Sequence, residues 1–217
     1  ALYRRATLRL CFAEERKERN ELMAVLSVVS LGTGSAEYLT RGGEAALRGA
    51  KQVVLRTGRS PIAAFLTEQG LSFDTLDSLY EQCEDFDAFH QAAAVTLFSR
   101  LKEGDLCYVV GDAAFDGTVF ALQKLKPREM ELRIVPGVSL ADCCLSLVKR
   151  QSGHVRILSA CELEDSRLLP DEPLLLCELY SRECAGDCKL KLMELLPDEL
   201  PVTLLTGREE DGSLQAK

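Results

Sequence analysis

No stretch of the 217-residue chain is an uninterrupted apolar run of the roughly 20 residues that a membrane-spanning helix requires. Residues 1–22 also lack the continuous apolar core of a secretory signal. The cytoplasm is therefore the expected compartment, with no membrane partner. Positive charge is in deficit, with 26 Lys and Arg against 34 Asp and Glu and a net charge of −8. Surfaces that hold phosphate backbones draw on clustered Lys and Arg, so nucleic acid is not expected as a partner. Histidine is scarce: only His90 and His154 occur. The nine cysteines are odd in number and sit mostly in apolar stretches, as reduced thiols acting as small hydrophobes do. Cys184 and Cys188 form a C-x3-C pair, but there is no second such pair, and no metal site is expected. Neither a G-x-x-x-x-G-K-[ST] phosphate loop nor a G-x-S-x-G nucleophile elbow occurs.

What is present is ordinary for a globular protein, 47% hydrophobic and 28% charged residues, enough for a sizeable core. Apolar runs of strand length alternate with helical patterns. The runs are 24–31 (AVLSVVSL), 52–57 (QVVLRT), the segment FDTLDSLYEQ, 106–111 (LCYVVG) and 130–137 (MELRIVPG). Short buried strands separated by helices imply βαβ units and a parallel sheet, so five strands fit an N-terminal α/β domain ending near Pro136-Gly137. Beyond it 155–160, 173–180, 189–196 and 201–207 are expected as further strands with less helix between them, a smaller second α/β domain. The boundaries are expected at 23–137 and 138–217. The chain does not open on Met, Met23 stands immediately before the first strand, and residues 1–22 read as an extension without a role in the chemistry.

Three loops follow expected strands and carry the candidate chemistry: Gly32-Thr33-Gly34, Val110-Gly111-Asp112 and Pro136-Gly137-Val138-Ser139. Backbone without Cβ atoms can approach a ligand closely, and a helix start offers unpaired N–H groups. Each piece also has a plainer reading. Gly-x-Gly serves any tight strand-to-helix turn, Asp112 and Ser139 suit helix N-caps, and Gly137 can simply turn the chain. The second strand ends at Leu55-Arg56-Thr57, without the acid that a nicotinamide site places on the ribose, which disfavours a dehydrogenase.

Taken with LRTGRSP (55–61), the 70–91 segment and KLKLMELLPDELPVTLL (189–205), the series of loops resembles the tetrapyrrole (corrin/porphyrin) methylase family from Val25 to the end of the chain. Within it the chain looks like the methylase-like domain that precedes a nucleotide pyrophosphohydrolase in MazG/YabN-type proteins. The resemblance implies a two-domain α/β fold with a parallel-sheet N-terminal domain and a smaller mixed-sheet C-terminal domain. It implies S-adenosyl-L-methionine held between the domains, touching Gly32, Thr33, Gly34, Val110, Gly111, Asp112, Phe115, Ser139, Leu140 and Ala160. Arg56, Asp77 and Tyr80, in the part most particular to MazG/YabN relatives, are candidates for the pocket of a small-molecule acceptor. Arg56 offers a planar fork to a carboxylate or phosphate, and the plainer alternative is an Arg–Asp pair that fixes a loop.

The family pattern is not kept throughout. Its first loop, usually G-x-G-P-G-D, reads Ser30-Leu31-Gly32-Thr33-Gly34-Ser35; its G-D-P reads Gly111-Asp112-Ala113; the R-T-x-x-H-P of MazG/YabN relatives reads Arg56-Thr57-Gly58-Arg59-Ser60-Pro61. A methyltransferase is the leading expectation. The alternative is a non-catalytic binding or regulatory module associated with a nucleoside triphosphate pyrophosphohydrolase. Relatives continue with a further strand and often with that pyrophosphohydrolase, so the chain is expected to be a fragment. A homodimer is expected too, because Phe86, Phe89, Val95, Leu97 and Phe98 crowd one helix and the family is commonly dimeric.

Overall fold

A computed structural model of the chain describes residues 24–149, 154–170, 172–179, 181–207 and 212–216. The extension expected over residues 1–22 lies outside them. The first five strands are β1 (Val25–Ser30), β2 (Gln52–Leu55), β3 (Asp74–Thr75), β4 (Leu106–Val110) and β5 (Glu131–Val135), all parallel, in the order β3-β2-β4-β1-β5. Successive side chains of a strand face opposite ways, which sorts the apolar runs into two cores. Leu26, Val28, Val54, Leu106, Tyr108 and Val110 point to one face, where α4 (Phe86–Arg100) and α5 (Gly117–Leu125) cover them with Phe89, Ala93, Leu97, Val119 and Leu122. Val29, Val53, Leu55, Cys107 and Val109 point to the other, under Leu47 of α1 (Arg41–Gly49) and Ile62 and Leu66 of α2 (Ile62–Glu68). Cys107 behaves as a small hydrophobe, its thiol pushed up to about 12 by burial.

The crowded helix of the sequence, α4, turns most of its large side chains inward. Phe89, Leu97 and Phe98 are buried in the sheet core, Phe86 is half-buried, and Val95 alone of the five faces solvent. Most of the apolar surface that suggested a two-fold interface is thus internal. The segment FDTLDSLYEQ, read as one strand, forms only the two-residue β3 followed by the single-turn helix α3 (Asp77–Tyr80). Its acids leave too short an apolar stretch for a longer edge strand.

After α6 (Leu140–Leu147) come β6 (Arg156–Ser159) and β7 (Leu174–Cys177), a parallel pair, then α7 (Arg182–Met193) and the antiparallel pair β8 (Leu205–Gly207) and β9 (Leu214–Ala216). The strand expected over 189–196 is a correction: most of it lies in α7. Ser181 caps that helix by accepting from the Cys184 N–H, and Cys184, Cys188 and Leu192 lie four residues apart along one stripe. That stripe packs on Leu158 and Leu163, so the spacing of four prevails over the local alternation of Lys and Leu. The strand expected over 201–207 forms only from Leu205. Among the described residues no helix is long and apolar enough to cross a membrane.

Candidate functional site

Every strand of the five-stranded sheet runs the same way, so the loops after β1, β4 and β5 emerge together at its carboxyl edge. Their contacts are close. Gly32, at φ +60°, lies so near the β5 loop that a Cβ there would sit 2.8 Å from the Val138 carbonyl oxygen. A Cβ on Gly137 would overlap the Ser30 carbonyl, and one on Gly111 would meet the Gly32 carbonyl at 3.2 Å. Polar bonds fasten the same loops. The Leu31 N–H donates to the Gly111 carbonyl at 2.7 Å and the Ala113 N–H to Ser30 Oγ at 3.1 Å, while the Thr40 hydroxyl donates to the Pro136 carbonyl at 3.2 Å.

Asp112 is the main tie between the β4 and β5 loops. Its Oδ1 accepts from the Ala114 N–H at 3.0 Å, and its Oδ2 accepts from both Ser139 Oγ and the Leu140 N–H at 2.8 Å. Ser139 in turn caps α6 by accepting from the Ala141 N–H at 3.2 Å. Ser139 is thus the helix N-cap that its plainer reading expected, whereas Asp112 is not, since the helix after β4 is capped by Asp116; a carboxylate with three such donors keeps one acceptor position. The three loops bring Gly32, Thr33, Gly34, Val110, Gly111, Asp112, Ser139 and Leu140 together. Phe115 follows in the turn closed by its N–H to the Asp112 carbonyl at 3.1 Å. Thr33 leaves its Oγ1 buried without a hydrogen-bond partner. Ala160 lies at the end of β6, buried with Leu158, Leu163 and Cys188.

Beside these loops is a second set of polar groups, of which the sequence singled out only Arg56 as a candidate. Arg56, just past β2, pairs through Nη1 with Asp116 Oδ2 at 3.1 Å; Asp116 is 3% exposed and also caps α5 by accepting from the Val119 N–H at 3.0 Å. His90 of α4 meets Thr118 Oγ1 at 3.0 Å through Nδ1, and burial followed by the Arg56 charge lowers the pKa of its ring. Tyr108 lies below, its hydroxyl near Thr118, Asp116 and Arg56 but with no hydrogen-bond partner at bonding distance. From the C-terminal half, Ser159 Oγ donates to Glu178 Oε2 at 2.8 Å. Burial raises the pKa of Glu178; the Ser159 bond and Arg56 offset this in part, and Asp116 and Glu162 add to it. The neighbouring Cys177 thiol is pushed up to about 12, by burial first and then by Cys144, Glu178 and Asp112.

Of the three acceptor candidates, Arg56 alone joins this set directly. Asp77 holds a different loop, accepting from the Gly58 N–H at 2.8 Å. Its burial alone would raise the carboxyl, but bonds from Thr57, Gly58 and Thr75 bring it below its ordinary value. The Arg–Asp pair of the sequence reading thus exists with Asp116 in place of Asp77. Tyr80 is half exposed and stacks against Phe86 and Phe89, at 5.6 and 5.5 Å between ring centroids, on the flank where Phe89 touches His90. Asp116 was open to notice as an Asp-Gly opening an apolar helix; Glu178 carried no local signal. No group of three or more His, Cys, Asp or Glu side chains among the described residues is arranged to hold a metal.

The family model of the Tetrapyrrole (Corrin/Porphyrin) Methylases matches residues 25–204. The chain belongs to this family. It is also 27% identical over 191 residues to the uncharacterized protein YabN of Bacillus subtilis (strain 168), an alignment of 86% of this chain and 39% of that protein. The chain thus spans well under half of this relative's length. Among solved structures, the uroporphyrin-III-C-methyltransferase of Thermus thermophilus superposes with a TM-score of 0.59 at 20% identity, covering 89% of this chain and 84% of that one. The putative cobalamin synthesis related protein CobF of Corynebacterium diphtheriae does so with 0.54 at 18% identity, covering 76% of each chain. At these identities the likeness is one of fold. It agrees with the mixed α/β architecture of this chain, its N-terminal parallel sheet followed by small extra sheets.

Proposed function

We propose that this methylase-family chain is an S-adenosylmethionine-dependent methyltransferase. Its cofactor lies against the loops 32–34, 110–115 and 137–140, and its acceptor lies on the side of Arg56. One observation carries the reading: three loops from one sheet edge converge, with exposed backbone at Gly111 and a buried, unpartnered Thr33 hydroxyl among them. Those residues suit a ligand that is recognised largely through backbone, with Thr33 Oγ1 free to bond it and Gly111, which is exposed, leaving room for it. When bound, S-adenosylmethionine supplies an electrophilic methyl group on a sulfonium. The chain's part is to orient donor and acceptor in line and keep water out, and such work needs no nucleophile or metal of its own. Asp112 and Ser139 act by fixing the loops to each other.

A second reading, a binding module that docks or regulates a pyrophosphohydrolase without turnover, is favoured by the commitment of Asp112 to three bonds inside the protein. Titration calorimetry with S-adenosylmethionine tests the leading proposal. The wild-type chain binds, and Gly111→Val abolishes binding by filling the backbone approach. Unchanged affinity in that variant contradicts the site. Binding without methyl release to any small-molecule acceptor favours the second reading.

A further inference from the structure

Glu178 directly follows β7 and holds a left-handed backbone at φ +64°, a conformation that crowds a residue with a Cβ. β6 and β7 are parallel with Ser159 opposite Cys177, so their ends place Ser159 and Glu178 side by side, joined by the 2.8 Å bond. The half-buried carboxyl feels the charges of Arg56 just past β2, Asp116 at the start of α5 and Glu162 in the turn after β6. The adjoining Cys177 senses Asp112 of the β4 loop. Glu178 therefore stands at the boundary between the loops assigned to the cofactor and the Arg56 side assigned to the acceptor. Arg56 is already paired with Asp116, which leaves Glu178 without a close counter-charge from it. In methyl transfer the reacting sulfur must face the acceptor, so the boundary is where the donor's positive charge belongs.

We infer that Glu178 reads the charge of the methyl donor, its carboxylate favouring the sulfonium form over the neutral thioether that remains after transfer. The inference rests on the cofactor reading given above. Transfer removes one positive charge from the donor, so a carboxylate beside the sulfur holds the substrate form and lets the product form go. Ser159 is the positioning residue, since its hydroxyl donates to the carboxyl.

Calorimetry on the whole chain tests this with S-adenosylmethionine and S-adenosylhomocysteine as probes. The wild type prefers the sulfonium compound about tenfold, the equivalent of one pKa unit of interaction. Glu178→Gln, and Glu178→Asn, which suits the left-handed backbone better, bring the ratio close to one while affinity for S-adenosylhomocysteine is kept. Protons give a second readout that needs no variant. Burial raises the Glu178 carboxyl above its ordinary range, and a cation beside it drives the proton off. In mildly acidic buffer, binding of S-adenosylmethionine therefore releases protons and binding of S-adenosylhomocysteine does not. Repeating the titrations in buffers of different ionisation enthalpy measures this. A preserved ratio in variants that bind S-adenosylhomocysteine normally, or equal proton release with both probes, overturns the role of Glu178 and leaves the cofactor site standing. Failure of the wild type to bind either probe removes both.

Discussion

The phenol of Tyr108 is fully buried, and its hydroxyl lies near Thr118 without a hydrogen bond of ordinary geometry. A buried polar group in that state costs about 1–3 kcal/mol. Tyr108→Phe removes the hydroxyl and keeps the ring packed among Val28, Val54 and Phe89. The expected result is a gain of about 1 kcal/mol, read as a higher urea midpoint at unchanged slope. A loss of that size would mean that the hydroxyl is bonded in solution. Other residues at the edge were legible earlier. Gly32, Gly111 and Asp112 sit at the ends of apolar runs, where a parallel sheet presents its loops. Tyr108 and Glu178 were not, because their surroundings come from residues far apart in the chain: Tyr108 meets Thr118 only through the packing of α5 on β4, and Glu178 meets Ser159 only through the pairing of β6 with β7.

Among the elements, α5 depends on Asp116 twice, as the cap of its first turn and as the partner of Arg56. The two roles separate by substitution. Asp116→Asn keeps a side-chain oxygen for the Val119 N–H and loses the charge; Arg56 is about a third exposed, so that pair contributes about 1 kcal/mol after solvent screening. Asp116→Ala loses the cap too, which adds about 1 kcal/mol. Chemical denaturation should therefore rank wild type above Asn above Ala, and equal losses in the two variants would contradict the capping role. Four strands of the N-terminal sheet, β1, β2, β4 and β5, were readable as apolar runs of four to six residues, and its helices by their apolar faces; β3, only two residues long, was not. The 189–196 segment failed as a strand because Lys and Leu alternate there while the deciding contacts, Cys184, Cys188 and Leu192 on Leu163, recur every four residues and begin before the alternation does.

At the scale of the whole molecule, strand order places the site. In the order β3-β2-β4-β1-β5, β1 and β4 are neighbours, and the helices that follow them leave on opposite faces, α1 with the Val29 side and α5 with the Val28 side. A crevice opens at such a point, beyond the carboxyl ends of the strands. Here the Gly32, Gly111 and β5 loops meet at that edge. Local periodicity in a sequence carries no strand order, so the run of motifs marked the loops but only the fold puts them in contact. The C-terminal strand pair returns to the same place: Gly212, at φ +71°, is so close that a Cβ would meet the Ser35 N at 2.8 Å. On the function proposed above, these loops hold the methyl donor. A crystal structure of the chain grown with S-adenosylhomocysteine is the most direct test. The nucleoside is expected against residues 32–34, 110–115 and 137–140 with its sulfur on the Glu178 side; a well-occupied nucleoside elsewhere on the protein would contradict that function.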